Sequence, residues 1–234
     1  LIDSGAVLKL RRARIGVGST SVNVDRSAGT LMVLGTPLLL DAAGAVIRDA
    51  AGAVVPGSVF LTSLNDVAVG KNSSQSLATT TPSSGDWGGI DFRNRTDAST
   101  TGRKNLEAQG LFLNSVNHAD IRYGGGQVVV DGVSQVVTPI QMFDARPTVS
   151  FSQITSSADA AMSATPNSFL DSNFHTPAEQ GVTSFTSDYI RVGPEIHGNQ
   201  LSKNSLNGLQ IRIRTGSGSV LEKLTVQGRF DDTD

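Results

Sequence analysis

The chain has 234 residues, 17% of them charged and 5% aromatic, with 25 glycines, no cysteine and a formal net charge of −2. Lack of cysteine excludes disulfides, thiolate metal sites and a cysteine nucleophile. The densest basic cluster, Lys9, Arg11, Arg12 and Arg14, is too small for a nucleic-acid footprint and reads as solvated strand-edge charge, and no apolar stretch reaches the roughly 18 residues of a membrane span.

Glycine, serine, threonine, asparagine and valine dominate, which favours strands and turns over helices. Ala6, Leu8 and Leu10 share one face by the two-residue period of a strand, as do Ala13, Ile15 and Val17. Val22 with Val24, then Leu31 to Leu34, follow at similar spacing. These pieces fit either an antiparallel meander or successive faces of one or two coils. Asp41-Ala42-Ala43-Gly44-Ala45-Val46 recurs as Asp49-Ala50-Ala51-Gly52-Ala53-Val54. Each Asp-Ala-Ala-Gly suits a type I turn closed by a left-handed glycine. Residues 37–57 are therefore expected to form a small hairpin insertion, after which Val59-Phe60-Leu61 re-enters the core. Residues 66–84 hold few large apolar groups and are expected to be a long polar surface loop; a second runs from Asn94 to about Asn105.

Gly85-Asp86-Trp87-Gly88-Gly89-Ile90-Asp91-Phe92 and Ala119-Asp120-Ile121-Arg122-Tyr123-Gly124-Gly125-Gly126 are short apolar/polar alternations flanked by glycine. Strands that end so soon suit a chain that turns a corner every few residues. Further strand signals are Leu111 to Leu113, Val128 to Val130, Val136-Val137, Ile140 to Phe143 and Val149 to Phe151, with a turn at Asp131-Gly132. Asp159 to Ala164 fits a short helical turn or a strand. Ile190, Val192 and Ile196, then Leu206, Leu209, Ile211 and Ile213, then Leu224 and Val226, continue the pattern. Ile121 to Phe143 spans 22 residues and Ile190 to Ile211 spans 21, the order of one solenoid coil. Asn114, Asn117, Asn199, Asn204 and Asn207 precede strands. They either serve corners and bond the backbone of neighbouring turns or stack as ladders inside a coil.

The two glycine-flanked runs, Phe60-Leu61-Thr62-Ser63-Leu64-Asn65-Asp66 and the segment Asn199 to Leu209 resemble right-handed parallel β-helix regions of the pectin-lyase-like superfamily. More narrowly, they resemble those of very large exported bacterial proteins. The resemblance covers about residues 58–234 well and 1–36 loosely. It implies an all-β fold, a right-handed parallel β-helix (solenoid) with a closed apolar interior. With the hairpin insertion and long surface loops, residues 1–234 form a single domain in this reading. The ending Asp231-Asp232-Thr233-Asp234, directly after a strand pattern, suggests a piece of a longer chain. The superfamily does not imply one activity, because lyases, hydrolases, adhesins and phage spikes share the fold.

Three Asp-x-Arg pairs, Asp91-Arg93, Asp120-Arg122 and Asp144-Arg146, place an acid and a base on one strand face. In β-helix lyases and hydrolases such outward acids and bases do chemistry, which makes Asp91, Asp120, Asp144 and Arg122 the candidate catalytic residues. The alternative is a ladder of surface ion pairs, each worth about 0–1 kcal/mol. Trp87 and Tyr123 are candidate glycan-binding rings, although Trp87 reads more readily as a plug over the coil. Asp66 and Asp86, with Asp231, Asp232 and Asp234, are candidate calcium ligands outside any recognised loop motif. His118, His175 and His197 lack partners at metal-ligand spacing. The expected role is a non-catalytic structural or adhesive stalk of an exported bacterial cell-surface or extracellular protein. Its expected partner is a glycan, a cell-surface component or another copy of itself. The alternatives are a β-helix polysaccharide lyase or glycoside hydrolase, and a glycan-binding module.

Overall fold

A computed structural model describes residues 1–18, 29–37, 39–48, 50, 58–70, 81–93, 112–130, 132–169 and 193–213. The expectations for Val22 and Val24, residues 71–80, the loop from Asn94 to Asn105, Leu111, His175, Ile190, Val192, Leu224, Val226 and the terminal aspartates lie outside these residues. So does the second Asp-Ala-Ala-Gly turn, apart from Ala50.

The described chain is all-β apart from one 3-10 turn, Pro166–Phe169. β1 (Ile2–Asp3), β2 (Val7–Leu10) and β3 (Ile15–Val17) make a first pass; β4 (Met32–Leu34), β5 (Val59–Ser63) and β6 (Ile90–Arg93) make a second. β7 (Ser115–Asn117) and β8 (Ala119–Arg122) begin the third pass. A hairpin, β9 (Gln127–Val130) and β10 (Val133–Val136), leaves it before β11 (Ile140–Phe143) completes it. β12 (Thr148–Ser150), β13 (Gln153–Thr155) and β14 (Ala160–Ala164) form the fourth; β15 (Glu195–His197), β16 (Gln200–Ser202) and β17 (Leu206–Ile211) form the fifth. Each pass gives one strand to each of three five-stranded sheets: β1-β4-β7-β12-β15, β2-β5-β8-β13-β16 and β3-β6-β11-β14-β17. All pairings within these sheets are parallel. The first two strand pieces are thus successive faces, not a meander, and Ala160–Ala164 is a strand.

The register aligns like with like. Ile2, Val33, Val116, Val149 and Ile196 stack in the first sheet. Leu8, Leu61, Ile121, Ile154 and Leu201 stack in the second. Ile15, Ile90, Ile140, Met162 and Leu209 stack in the third, beside Val17, Phe92, Met142 and Ala164. All of these belong to, or pack against, one apolar core. Each fully buried side chain of this size contributes about 1.5–3 kcal/mol, so the stacks supply most of the fold's driving force. The expected coil of Ile121 to Phe143 is corrected: those residues sit in different sheets, and Ile121 pairs with Ile154. A 22-residue step does occur, between Ile140 and Met162, where no insertion intervenes.

The corners explain the short strands. His118 alone separates β7 from β8, and the equivalent residues of the next two passes are Phe151 and Gly198. Their φ values of 48, 50 and 62° lie in the left-handed region, which turns the chain in a single residue. The backbone ladder continues through this corner, with His118 N–H donating to the Ser150 carbonyl and Phe151 N–H to that of His197. Asparagines fix the same turns. Asn199 accepts from Ser152 N–H (2.9 Å) and donates to the Val149 carbonyl (2.7 Å); Asn204 accepts from Ser157 N–H (3.0 Å) and donates to the Ile154 carbonyl (2.8 Å). These side chains tie one pass to the backbone of the one before it. Asn199→Ala removes both bonds of one tie and is expected to lower unfolding free energy by about 1–2 kcal/mol in urea titrations. An unchanged midpoint would show that water replaces the amide at no cost.

The two glycine-flanked runs meet. Gly125 N–H donates to the Gly88 carbonyl (2.7 Å) and Gly126 N–H to the Trp87 carbonyl (2.8 Å). A Cβ on Gly126 would run into the Gly85 carbonyl, and one on Gly89 into the Thr138 carbonyl. The glycines are therefore one backbone-to-backbone joint. The hairpin β9–β10 rises beside it, with Val128 and Val130 clustered against Val137. In the arm after Gly35, Leu40 and Val46 form an antiparallel bridge around a turn in which Asp41 accepts from Ala43 and Ala45 N–H.

Candidate functional site

The outer face of the second sheet carries Asp120 and Arg122, with Asp66 and Tyr123 beside them. Inward Leu61 and Ile121 leave Phe60, Thr62, Asp120 and Arg122 pointing outward by strand alternation. Asp120 and Arg122 form a bidentate pair, Nε to Oδ1 at 2.7 Å and a terminal nitrogen to Oδ2 at 2.6 Å. The guanidinium lies 5.3 Å from the centre of the Phe60 ring and 3.9 Å from Asp66. Burial alone would lower the Arg122 pKa, but the Asp120 bond and charge, with Asp66, raise it above its ordinary value. Burial and the Asp66 charge raise the neighbouring Tyr123.

Asp66 is buried and already satisfied. Its carboxylate accepts from the Thr62 hydroxyl (2.7 Å) and Ala68 N–H (3.0 Å), while Lys9 donates to its carbonyl (2.7 Å) and to that of Gly70 (3.3 Å). Burial lowers the Lys9 pKa, partly offset by Asp66. This network fastens residues 66–70 onto the sheet. Asp86 accepts from the Ser63 hydroxyl, Asn65 side chain (3.2 Å) and Ser83 N–H (3.1 Å), which ties the segment before Trp87 to the end of β5. Both Asp66 carboxylate oxygens accept from protein donors, and the three donors to Asp86 converge on its Oδ2. Among the described residues no three His, Cys, Asp or Glu side chains gather as metal ligands.

Three expectations are corrected. Asp91 and Arg93 are not on an exposed face; their relative exposures are 0% and 1%. Asp91 lies between Arg93 (2.8 Å), Arg14 (3.1 Å) and Gln141 Nε2 (2.9 Å), and Arg93 reaches Gln135 of the hairpin (3.5 Å) and the Phe143 ring. The sequence missed this because Gln135, which the hairpin brings to the pair, is 42 residues beyond Arg93. Asp144-Arg146 is not a strand pair: Asp144 sits at a corner with φ 52° and accepts from the Thr165 hydroxyl (2.7 Å), while Arg146 donates to the Asn167 carbonyl (3.2 Å). Trp87 offers no ring face to a sugar. It is fully buried in the core and its indole N–H donates to the Arg122 carbonyl at 2.7 Å, which makes it the plug.

The three candidate acids thus occupy different places: Asp91 on the third sheet, Asp120 on the second, Asp144 at a corner. Known proteins give no shortcut to a role. The chain matches no family model, no curated protein and no solved structure. The parallel architecture therefore stands on strand register, and function on side-chain geometry.

Sequence reading missed one feature of the first corner. Phe151 stacks on His118 (centroids 5.4 Å, planes 21° apart) and meets His197 edge-on (5.1 Å). The available signal was an aromatic residue at a position where the next pass has Gly198.

Proposed function

We propose that the three sheets close into a right-handed parallel β-helix that acts as a rigid, non-catalytic structural and adhesive segment of an exported bacterial surface protein. Right-handed crossing is the rule for parallel strands joined through other layers. The stacked apolar registers and the single core they feed support closure. Stiffness follows from backbone ladders running the length of three sheets, with each pass contacting its neighbours. The exported, bacterial setting rests on the resemblance of the glycine-flanked motifs.

The observation that carries the non-catalytic reading is the dispersal of the acids. Glycoside hydrolysis needs two carboxyl groups about 5–9.5 Å apart across a substrate. Here Asp91 is sealed between two arginines, Asp120 is 2% exposed and held bidentately by its own arginine, and Asp144 takes a hydroxyl bond elsewhere. Asp66 and Asp120 do approach one arginine, yet both are buried. A screen against neutral and uronate polysaccharides, read by reducing ends and by absorbance of unsaturated products, is expected to give no turnover. Turnover that disappears in Asp120→Ala would overturn the scaffold reading in favour of an enzyme.

A further inference from the structure

The first corner and the arm enclose a groove of about 440 Å³. One wall is Leu40 and Val46 of the arm, the other is His118 and Phe151, and the floor carries Gln153 and Gln200. We infer that this groove binds a neutral glycan, one sugar ring lying on Phe151 and its hydroxyls bonding the Gln153 and Gln200 amides. The inference rests on the adhesive part of the reading above and names where adhesion occurs.

Phe151 is costly where it stands. Its φ of 50° is the left-handed corner conformation that His118 holds one pass earlier and that glycine adopts with less strain. The residue is 52% exposed, so it returns little burial. The same turn is made by Gly198 one pass later, and a Cβ there would strike the Phe151 ring. Packing therefore fixes the ring's orientation, and stacking on His118 stiffens it further.

The floor supplies the matching polarity. Gln153 and Gln200 are register partners on adjacent strands, so their amides repeat at about the 4.8 Å strand spacing. Their mutual contact is long, at 3.4 Å, which leaves donors and acceptors for a ligand. Each amide offers both, as vicinal hydroxyls require. The floor carries no free charge: Asp120, on the same row, is taken by Arg122. An aromatic face beside uncharged amides suits a neutral sugar better than a uronate. A proline-rich peptide would use the aromatic wall and leave the amide floor largely unused.

The test is titration of the 234-residue chain with cellohexaose, xylohexaose, mannohexaose and chitohexaose, followed by calorimetry and amide NMR, with a proline-rich peptide as comparator. At least one hexaose is expected to bind saturably. Phe151→Gly, which gives the corner its preferred residue, is expected to weaken that binding about tenfold or more while leaving the melting temperature unchanged or raised. Gln153→Ala provides a second variant without backbone change and is expected to weaken it comparably. Binding unaltered by both variants, or tighter binding of the peptide, overturns the groove assignment. Absence of binding by all four sugars also overturns it, yet leaves the rigid scaffold standing, since that is judged by turnover and core register.

Discussion

Asp91→Ala is expected to destabilise the fold by about 3–5 kcal/mol, far beyond what a surface ion pair contributes. The carboxylate accepts from Arg93 and Gln141, pairs ionically with Arg14, and is fully buried. Removing it takes the Asp91 carboxylate away from the almost fully buried Arg93 charge, and a large part of what offset that charge's desolvation goes with it. The change should appear as a lower guanidinium midpoint with an unaltered slope. Replacing the pair together, as Asp91→Leu with Arg93→Met, is expected to recover much of the loss, because apolar groups of similar volume need no partner. Arg14, nearer the rim, can then turn toward water. A loss under about 1 kcal/mol in the single variant would mean that water reaches the pair, and the burial assigned to it would be wrong.

The glycine joint gives the second large effect. Gly126→Ala and Gly89→Ala each place a methyl against a backbone carbonyl, Gly85 in one case and Thr138 in the other. A flexible side chain could move aside; a backbone carbonyl can do so only by shifting the chain that carries it. The expected cost is about 3 kcal/mol or more for each. Gly208→Ala is the control: nothing lies within 4 Å of its would-be Cβ, and a change within about 0.5 kcal/mol is expected. Equal thermal midpoints for Gly126→Ala and Gly208→Ala would mean that the two glycine runs do not meet.

The order of effects follows from depth. Asn199 ties two backbones from a half-buried corner, and its loss is partly made good by water. Asp91 and the joint glycines have no such recourse. The same reasoning separates Phe151 from the core aromatics: Phe60 and Phe92 are fully buried, whereas Phe151 is half in solvent and can be given up without loss of the fold.

Alternation in Ile90-Asp91-Phe92 and Ala119-Asp120-Ile121 was enough to place Ile90, Phe92 and Ile121 in the interior, because the two-residue period of a strand is a local property. The runs of glycine and the reach of asparagine to a neighbouring turn were legible for the same reason: corners are made by one or two residues. Pairing was not local. Ile121 meets Leu61 and Ile154, and insertions of unequal length erase any constant period between them. Exposure was not local either. The alternation that put Asp91 and Asp120 on outer faces was correct, but an arginine from the first pass reaches Asp91, a glutamine from a later hairpin reaches Arg93, and the 66–70 segment brings Asp66 to Arg122. The sequence by itself determined which residues face inward and where the chain turns, since both follow from backbone sterics and side-chain polarity. Only the tertiary structure decided which outward groups stay in water, because that depends on segments tens of residues away folding back over them.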